Sequence, residues 1–589
     1  MNYDWDLSGL YADEESYRKD VETFKKMIPE LGSYKGRLSD DESLKAYFDL
    51  QVKLELLVNR LYAYASSKAD LDRRVVENVS KENELMNLLR DLNGQTSFFD
   101  PEVLAMGKAR MDAFFAKHPD YSQFDFSIRK LFDSQEHVLS SDKEKIISDY
   151  SAFSSVGRNL YSTLSVGDYV SGKATMKDGR EIVVTTANWT NLIAEEKDPE
   201  DRKAIFEALY RYFDAHKNTY AEIYSLSLQE QLGEMKARGY RSILEEHLDG
   251  NKIPTDVFLN LVEVAHDGAK PLQDYYELRR KYLGLEKHRS YDRFLELAKS
   301  DTKVSYEEAR EIFFASIDRF PEDFKAKARE VSAEGMVDVL PKDGKRTGAY
   351  SRGGGGLKPM ILLNFQGTLE DVFTLAHESG HSIHTLYSEE GQPLMKQDYT
   401  IFVAEIASTF NEHNLLDYLL NKGELTKADK ISLLQKAIDE IASTFYRQTL
   451  FGEYELIASR MAEKGEPIDY QVLSDIMAKL YKEYYGIDIR EEIYKPLVWC
   501  YIPHLFYTPF YVYQYATSFS ASLELYKRVK EGGEEDFRRY VSLLKMGGSD
   551  YPINEVIKAG VDLTSKEPFQ AVVDRMAKLV EELKKVLEE

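Results

Sequence analysis

Cysteine is almost missing from this sequence: Cys500 is the only one in 589 residues. A single thiol closes no disulfide within the chain and builds no Cys-rich metal site, and no disulfide-linked partner is expected. Excess positive charge is missing too. Lys+Arg number 77 against 101 Asp+Glu, a net charge of −24. So acidic a surface disfavours nucleic acid and anionic membranes as partners. Low complexity is absent: 43% of residues are hydrophobic and 30% charged, which suits a large packed core. The opening Met1-Asn2-Tyr3-Asp4-Trp5-Asp6 has neither a basic region nor an apolar one, so no secretory signal is expected. The longest uncharged run, Pro496 to Leu523, is long enough for a bilayer, which needs about 20 residues. It carries Pro503, Pro509, His504, Gln514 and the tyrosines 501, 507, 511, 513 and 515, and reads instead as a buried or cleft-lining segment. A soluble, cytoplasmic protein is expected.

What is present is mostly helical periodicity. Apolar residues recur at spacings of three and four over Tyr47–Leu61, Arg202–Met235, Lys427–Lys464 and Tyr470–Tyr485, and Glu567–Glu589 reads as a charged amphipathic helix. Strand signals are few. Lys177-Asp178-Gly179-Arg180 between β-rich flanks predicts a hairpin within Val166–Thr186. Pro359–Phe365 is a second strand candidate, preceded by Gly353 to Gly356. No array of fixed period is visible, although EIASTF occurs at both 405–410 and 440–445. A division is placed near residue 200, giving 1–200 and 201–589.

The informative residues are His377-Glu378-Ser379-Gly380-His381, an H-E-x-x-H pattern. Thr368 and Asp371 have the form of a capping box, the run from Leu369 to Tyr387 is amphipathic, and Gly391 and Pro393 stop it. On a helix, residues four apart share a face, so two imidazoles can converge on one ion. Glu378 can then face the water that the ion acidifies. With eleven histidines in the chain, chance matches to the pattern number roughly 0.035 at most. Gly380 sits inside this helix at a propensity cost of ~1 kcal/mol, which close packing or substrate approach would explain. His384 lies too far up the helix to share the ion. It is read as a neighbour of the ligands, a substrate-facing residue or a packed histidine. The third ligand should come from the next helix, Asp398–Lys422 with Gly423 as its stop. There Glu405 stands among Ile401, Phe402, Val403, Ala404 and Ile406, where an unpartnered carboxylate would be costly. Its twin Glu440 has Asp439 and Lys436 beside it and reads as an ordinary helix position. Two nitrogens, one carboxylate and an open position describe a catalytic zinc site with one ion per chain.

These residues resemble the M3 metallopeptidases, in particular the oligoendopeptidase F branch. The resemblance is carried by His377-Glu378-x-Gly380-His381-x-x-His384 and by Glu405-x-x-Ser408-x-x-x-Glu412, with Ala407 where the wider family commonly has proline. Trp5-Asp6-Leu7-Ser8-x-Leu10-Tyr11 is similar to that branch as well. Glu412 falls on the family's second glutamate, whereas Arg447 follows Glu440 at the same distance, which favours Glu405 as ligand. The resemblance implies a mainly α, zincin-type body with a deep substrate channel and a small sheet or hairpin beside the active site. It also implies an oligopeptidase F type N-terminal lobe and a catalytic domain after it, and internal cleavage of short unstructured peptides. The family uses a His and a Tyr from the tail segment against the oxyanion. Here His504 and Tyr513 are preferred, with Tyr507 and Tyr511 as rivals.

The glycine run lacks a following Gly-Lys-Ser/Thr, so phosphate binding is not expected. Gly354 and Gly355 instead suit a turn with little bulk near a ligand, and an extended peptide could add to the edge of the Pro359–Phe365 strand. The rival readings are a zinc carboxypeptidase on a related helical fold, a zinc aminopeptidase and, from another class, a helical binding protein with an inert H-E-x-x-H. No Gly-x-Met-Glu-Asn anchor for a substrate amine occurs, which counts against the aminopeptidase. Oligomeric state is not legible.

Overall fold

The computed structural model describes residues 3–140, 143–144, 146–147, 153, 155–422 and 425–589. The chain divides into two compact units, each assembled from three stretches: Met1–Glu136, Thr302–Asn421 and Leu525–Val561 form the first, and His137–Asp301, Lys422–Glu524 and Asp562–Glu589 the second. Both are mainly helical, as the periodicity predicts.

In the first unit, Glu14–Gly32 begins with a capping box in which Asp13 accepts from the Ser16 N–H, and Asp41–Leu71 is capped by Asp40. Their apolar faces bury Tyr17, Phe24, Phe48 and Leu61 in one core with Trp5, Leu7, Met360 and Leu362. That core carries a three-stranded sheet. Strands β3 (Val337–Asp338), β4 (Tyr350–Arg352) and β5 (Met360–Leu362) follow a two-stranded hairpin of the second unit, β1 (Gly172–Thr175) and β2 (Glu181–Val184). The order is β3-β5-β4, with β5 parallel to β3 and antiparallel to β4. The N-terminal segment pins this sheet: Trp5 Nε1 donates to the Ile361 carbonyl at 2.8 Å, and Val339 N–H donates to the Tyr3 carbonyl at 2.8 Å. The Trp5-Asp6-Leu7 motif is therefore an anchor for the central strand.

The sheet corrects one expectation. The Pro359–Phe365 strand is not an edge: β5 is paired on both sides and wholly buried. Among the described residues the open edge beside β5 belongs to β4, which is too short to show an alternating pattern. Gly353–Gly356 is the turn of the β4–β5 hairpin, with Gly354 N–H donating to the Leu357 carbonyl at 3.0 Å. Gly355 needs to be glycine twice over. Its φ is +62°, and a Cβ there would meet Asn59 Nδ2 at 1.9 Å.

Against the sheet lies α1 (Leu369–Gly391), begun by the predicted Thr368–Asp371 capping box and ended at the predicted Gly391. Ser351 Oγ of β4 and Ser382 Oγ of α1 are 2.8 Å apart. Helix α2 (Ile401–Asn421) packs along α1. Gly380 lets them cross closely: a Cβ there would sit 2.5 Å from the Ala407 carbonyl oxygen and 2.6 Å from Ser408 Cα. Gly423 lies outside the described residues.

In the second unit the β1–β2 hairpin pairs Gly172 with Val184 and Thr175 with Glu181, and Gly179 turns it with φ +85°. The expected helix over Arg202–Met235 is two, Pro199–Ala215 and Lys217–Arg238, broken at His216. Lys427–Glu440, a π turn at Ile441–Tyr446 and Arg447–Lys464 run on without interruption. The two EIASTF hexapeptides thus differ in conformation: α-helix in α2, and a π turn after Glu440. Helix Tyr470–Tyr485 has the predicted bounds. The uncharged run is broken into Val498–Tyr501, His504–Tyr507 and a helix from Tyr513. Among the described residues no helix is long and apolar enough to cross a membrane.

Candidate metal centre

The spacing of four puts His377 and His381 on one face of α1, and the Gly380 crossing brings Glu405 of α2 to the same point. His377 Nε2 and His381 Nε2 are 3.2 Å apart, and Glu405 Oε2 lies 3.4 Å from the first and 3.6 Å from the second. A tetrahedral ion with bonds of about 2.0–2.1 Å requires ligand separations of about 3.3–3.4 Å. The triangle therefore fits an ion of that size. Among the described residues it is the one His/Cys/Asp/Glu group that could hold a metal ion. Glu440 is not part of any such group. The three side chains stay 20–25% exposed, which leaves one side of the triangle open.

The surroundings fix the ring orientations. His377 Nδ1 is 2.8 Å from Glu412 Oε1, and the backbone of Ala404 hydrogen-bonds the His381 ring. Each Nε2 lone pair is thereby turned toward the open point. Ser408 Oγ donates to Glu405 Oε2 at 3.0 Å, holding the carboxylate in place. Burial by itself would lower the His377 ring, but the Glu412 carboxylate outweighs it and holds the ring up at about 9. His381 is pushed down to about 4 by burial and by the charge on His377.

Glu378 is 7% exposed, and among the described residues its Oε2 has no hydrogen-bond partner. Burial raises its carboxyl to about 7, helped by Glu405 and Glu412 and opposed by His377 and by the Ser351 backbone N–H. Such a carboxyl can take up and release a proton near neutrality. Ser351 is a neighbour that the sequence reading missed. The signal available was the three residues just before the glycine run.

His384 is inside the protein. It is 1% exposed, stacks on Tyr399 with ring centroids 3.6 Å apart, and is lowered to about 3 by burial. Its ring is packed and held in the neutral form by that burial. In the tail segment, Tyr513 is 3% exposed, and its ring packs on Phe258 at 5.3 Å. Its phenol is thus enclosed, whereas the rings of Tyr507 and Tyr511 are not buried. His504 and Tyr511 stand with rings parallel at 6.1 Å and are not buried, Tyr515 meets Tyr511 edge-on at 5.7 Å, and Tyr507 packs on Tyr161.

A helical body with two helix-borne histidines, a helix-borne glutamate and a buried carboxylate between them defines a metallopeptidase of the H-E-x-x-H class. Comparison narrows the class. Residues 192–575 match Peptidase family M3, and residues 102–170 match Oligopeptidase F. The chain is 33% identical to oligopeptidase PepF of Bacillus subtilis over 99% of its own length and 87% of that protein. It is 31% identical to group B oligopeptidase PepB of Streptococcus agalactiae, over 97% and 94% of the two chains. A solved oligoendopeptidase-F from Enterococcus faecium superposes with a TM-score of 0.75 at 26% identity, covering 98% of this chain and 99% of that one. The chain belongs to peptidase family M3 and is a metalloendopeptidase.

Proposed function

We propose that the enzyme uses one zinc ion to hydrolyse internal bonds of short, unstructured peptides. The observation that carries this reading is the His377–His381–Glu405 triangle, whose edges match those of a tetrahedral zinc site. His377, His381 and Glu405 would hold the ion. When bound, zinc supplies Lewis-acid chemistry, lowering the pKa of water toward 7 and polarising a carbonyl.

The chain's own residues do the rest. Glu378 takes a proton from the attacking water as the oxygen bonds to the scissile carbonyl carbon. It then passes that proton to the nitrogen as the C–N bond breaks. Glu412 accepts from His377 Nδ1–H, which keeps the His377 Nε2 lone pair free for the ion. His504 and Tyr511 are assigned as donors to the developing oxyanion, on the family resemblance and on their unburied, parallel rings. The peptide lies extended along β4, whose outer side has no partner strand among the described residues. Pairing through main-chain groups gives affinity without demanding a sequence. Gly354 and Gly355 keep the end of that edge free of side chains. A chain with a single, buried cysteine suits a reducing compartment, and we place the enzyme in the cytoplasm.

Two measurements test the reading. Metal analysis of Glu405→Ala and Glu440→Ala should show zinc lost from the first and kept in the second; the reverse result would mean that the wrong glutamate was chosen. Mass spectrometry of products should show internal fragments. Single residues released from the C-terminus would establish a carboxypeptidase instead.

A further inference from the structure

The second unit contains three cations with few partners. Lys495 is 4% exposed, yet among the described residues its Nζ makes no hydrogen bond and no ion pair. It rests over the rings of Tyr481, Tyr210 and Phe206 at 5.4, 5.5 and 5.7 Å. Arg293 lies 4.5 Å over the Phe294 ring, and its guanidinium likewise has no hydrogen-bond partner among the described residues. Arg447 lies over Phe451 at 4.7 Å and donates to the Tyr481 hydroxyl at 3.1 Å. An Arg carries five N–H donors and a Lys three, so nearly all of this capacity is unspent. The Tyr485 hydroxyl is raised by burial and lowered by the Arg447 guanidinium beside it, and its ring is 5.0 Å from that of Tyr481.

The groups face one another. Arg447 and Arg293 each depress Lys495, and Arg447 depresses Arg293. Burial would raise the Tyr481 hydroxyl, but Lys495, Arg447 and Arg293 together bring it down to about 8. Glu492 acts on Lys495 and Asp439 interacts with Arg293, and both carboxylates are committed. Glu492 accepts from the backbone N–H and hydroxyl of Ser290, and Asp439 accepts from Tyr275 and Gln435. Even with both counted as charged, the cations outnumber them. The backbone is unusual at two of these points. Tyr494, just before Lys495, has φ +70°, and Arg447 follows the π turn. Such features cluster where side chains are aimed at ligands.

We propose that Arg293, Arg447, Lys495 and the hydroxyls of Tyr481 and Tyr485 form a binding site for a small monovalent anion of halide size. The aromatic walls favour a weakly hydrated ion. A divalent anion would lose far more hydration energy on leaving water. The ion joins three parts of the unit, the turn at Arg293, the helix beginning at Arg447 and the Tyr481–Lys495 stretch, and so stabilises their packing.

The test uses the full-length enzyme with bromide as probe. Thermal unfolding is followed at constant ionic strength while bromide replaces a bulky sulfonate. A saturable rise in Tm of about 1–3 °C is expected in the wild type and none in Lys495→Met. Crystals grown in bromide should give an anomalous peak between Lys495 Nζ and the Arg447 guanidinium, a measurement that needs no variant. No peak together with a halide-independent Tm overturns the proposal. Two such results would also name what neutralises the cluster instead. Absorbance near 295 nm at pH 8 that disappears in Tyr481→Phe would identify the phenolate as a built-in counter-ion. Protection by a peptide with a free C-terminus, and not by its amide, would identify a substrate carboxylate.

Discussion

At the scale of single residues, the chemistry turns on which carboxylates are buried and what each one touches. Glu378 and Glu412 are both acids near His377, but Glu412 is hydrogen-bonded to the ring while one oxygen of Glu378 is bonded to nothing. In the proposed mechanism Glu412 positions a ligand and Glu378 moves the proton. Glu378→Gln should therefore retain zinc and peptide affinity while turnover falls ~10²–10⁴-fold. Zinc content by mass spectrometry and single-turnover rates separate the two effects, and near-wild-type kcat would remove Glu378 from the mechanism. Glu412→Ala should instead weaken metal affinity by about 10–100-fold, seen as faster loss of activity to a chelator. The pH profile follows from the same residue. A general base works when ionised, and the Glu378 carboxyl is raised to about 7. kcat/KM should therefore fall on the acid side with an apparent pKa at or below 7, since a bound dication favours the ionised form. In Glu378→Gln that acid limb should vanish from whatever activity remains. Glu378 and the two histidines were legible because H-E-x-x-H has a fixed helical spacing. Which tyrosine of the tail segment is buried was not legible, because a period of two or four says which tyrosines share a face and not which face is buried.

Among the elements, the crossing of α1 and α2 decides the geometry, and Gly380 decides the crossing. In an exposed helix, Gly→Ala gains ~1 kcal/mol. Here the added Cβ would press on backbone atoms of α2 at 2.5 and 2.6 Å, and backbone cannot turn aside. Gly380→Ala should destabilise by about 1–3 kcal/mol. It should also move Glu405 away from the histidines, and a displacement of about 1 Å can reduce turnover ~10²-fold. A lower Tm with reduced zinc content would bear this out; a higher Tm would show that the helices have room. The bounds of α1 were readable because its capping box, its apolar stripe and its terminal Gly391 agree. The sheet was not. Strands of two or three residues carry no alternation, and β5, buried on both faces, reads as a plain apolar run whether central or at an edge. Its neighbours come from residues 337–338 and 350–352, and such pairing is invisible to local pattern. The break at His216 was missed for a similar reason, since the apolar spacing continues through it.

On the scale of the whole molecule, two properties act on the substrate before chemistry begins. One is the net charge of −24. It should favour cationic peptides in the encounter step, and raising salt should lower kcat/KM for a Lys-rich peptide more than for its neutral analogue. The other is the extended geometry that the proposed pairing along β4 would require. A free peptide adopts it at the loss of little more than chain entropy. A segment inside a folded domain must first open, at a free energy up to the domain's global stability of ~5–15 kcal/mol. Each 1.4 kcal/mol lowers the accessible fraction tenfold, so even partial opening costs several orders of magnitude in rate. The comparison is a matched pair: one cleavable sequence as a free peptide, and the same sequence in a loop of a stable domain. The free peptide should be cut at least 10³-fold faster, and mild destabilisation of the host domain should raise the slower rate in proportion to its open population. N-methylation of the free peptide at successive residues should then raise KM at alternate positions only, because an edge strand bonds every second residue. Equal cleavage of peptide and loop, or an N-methyl scan without alternation, would remove β4 as the docking strand and leave the metal centre to bind substrate by side-chain contacts.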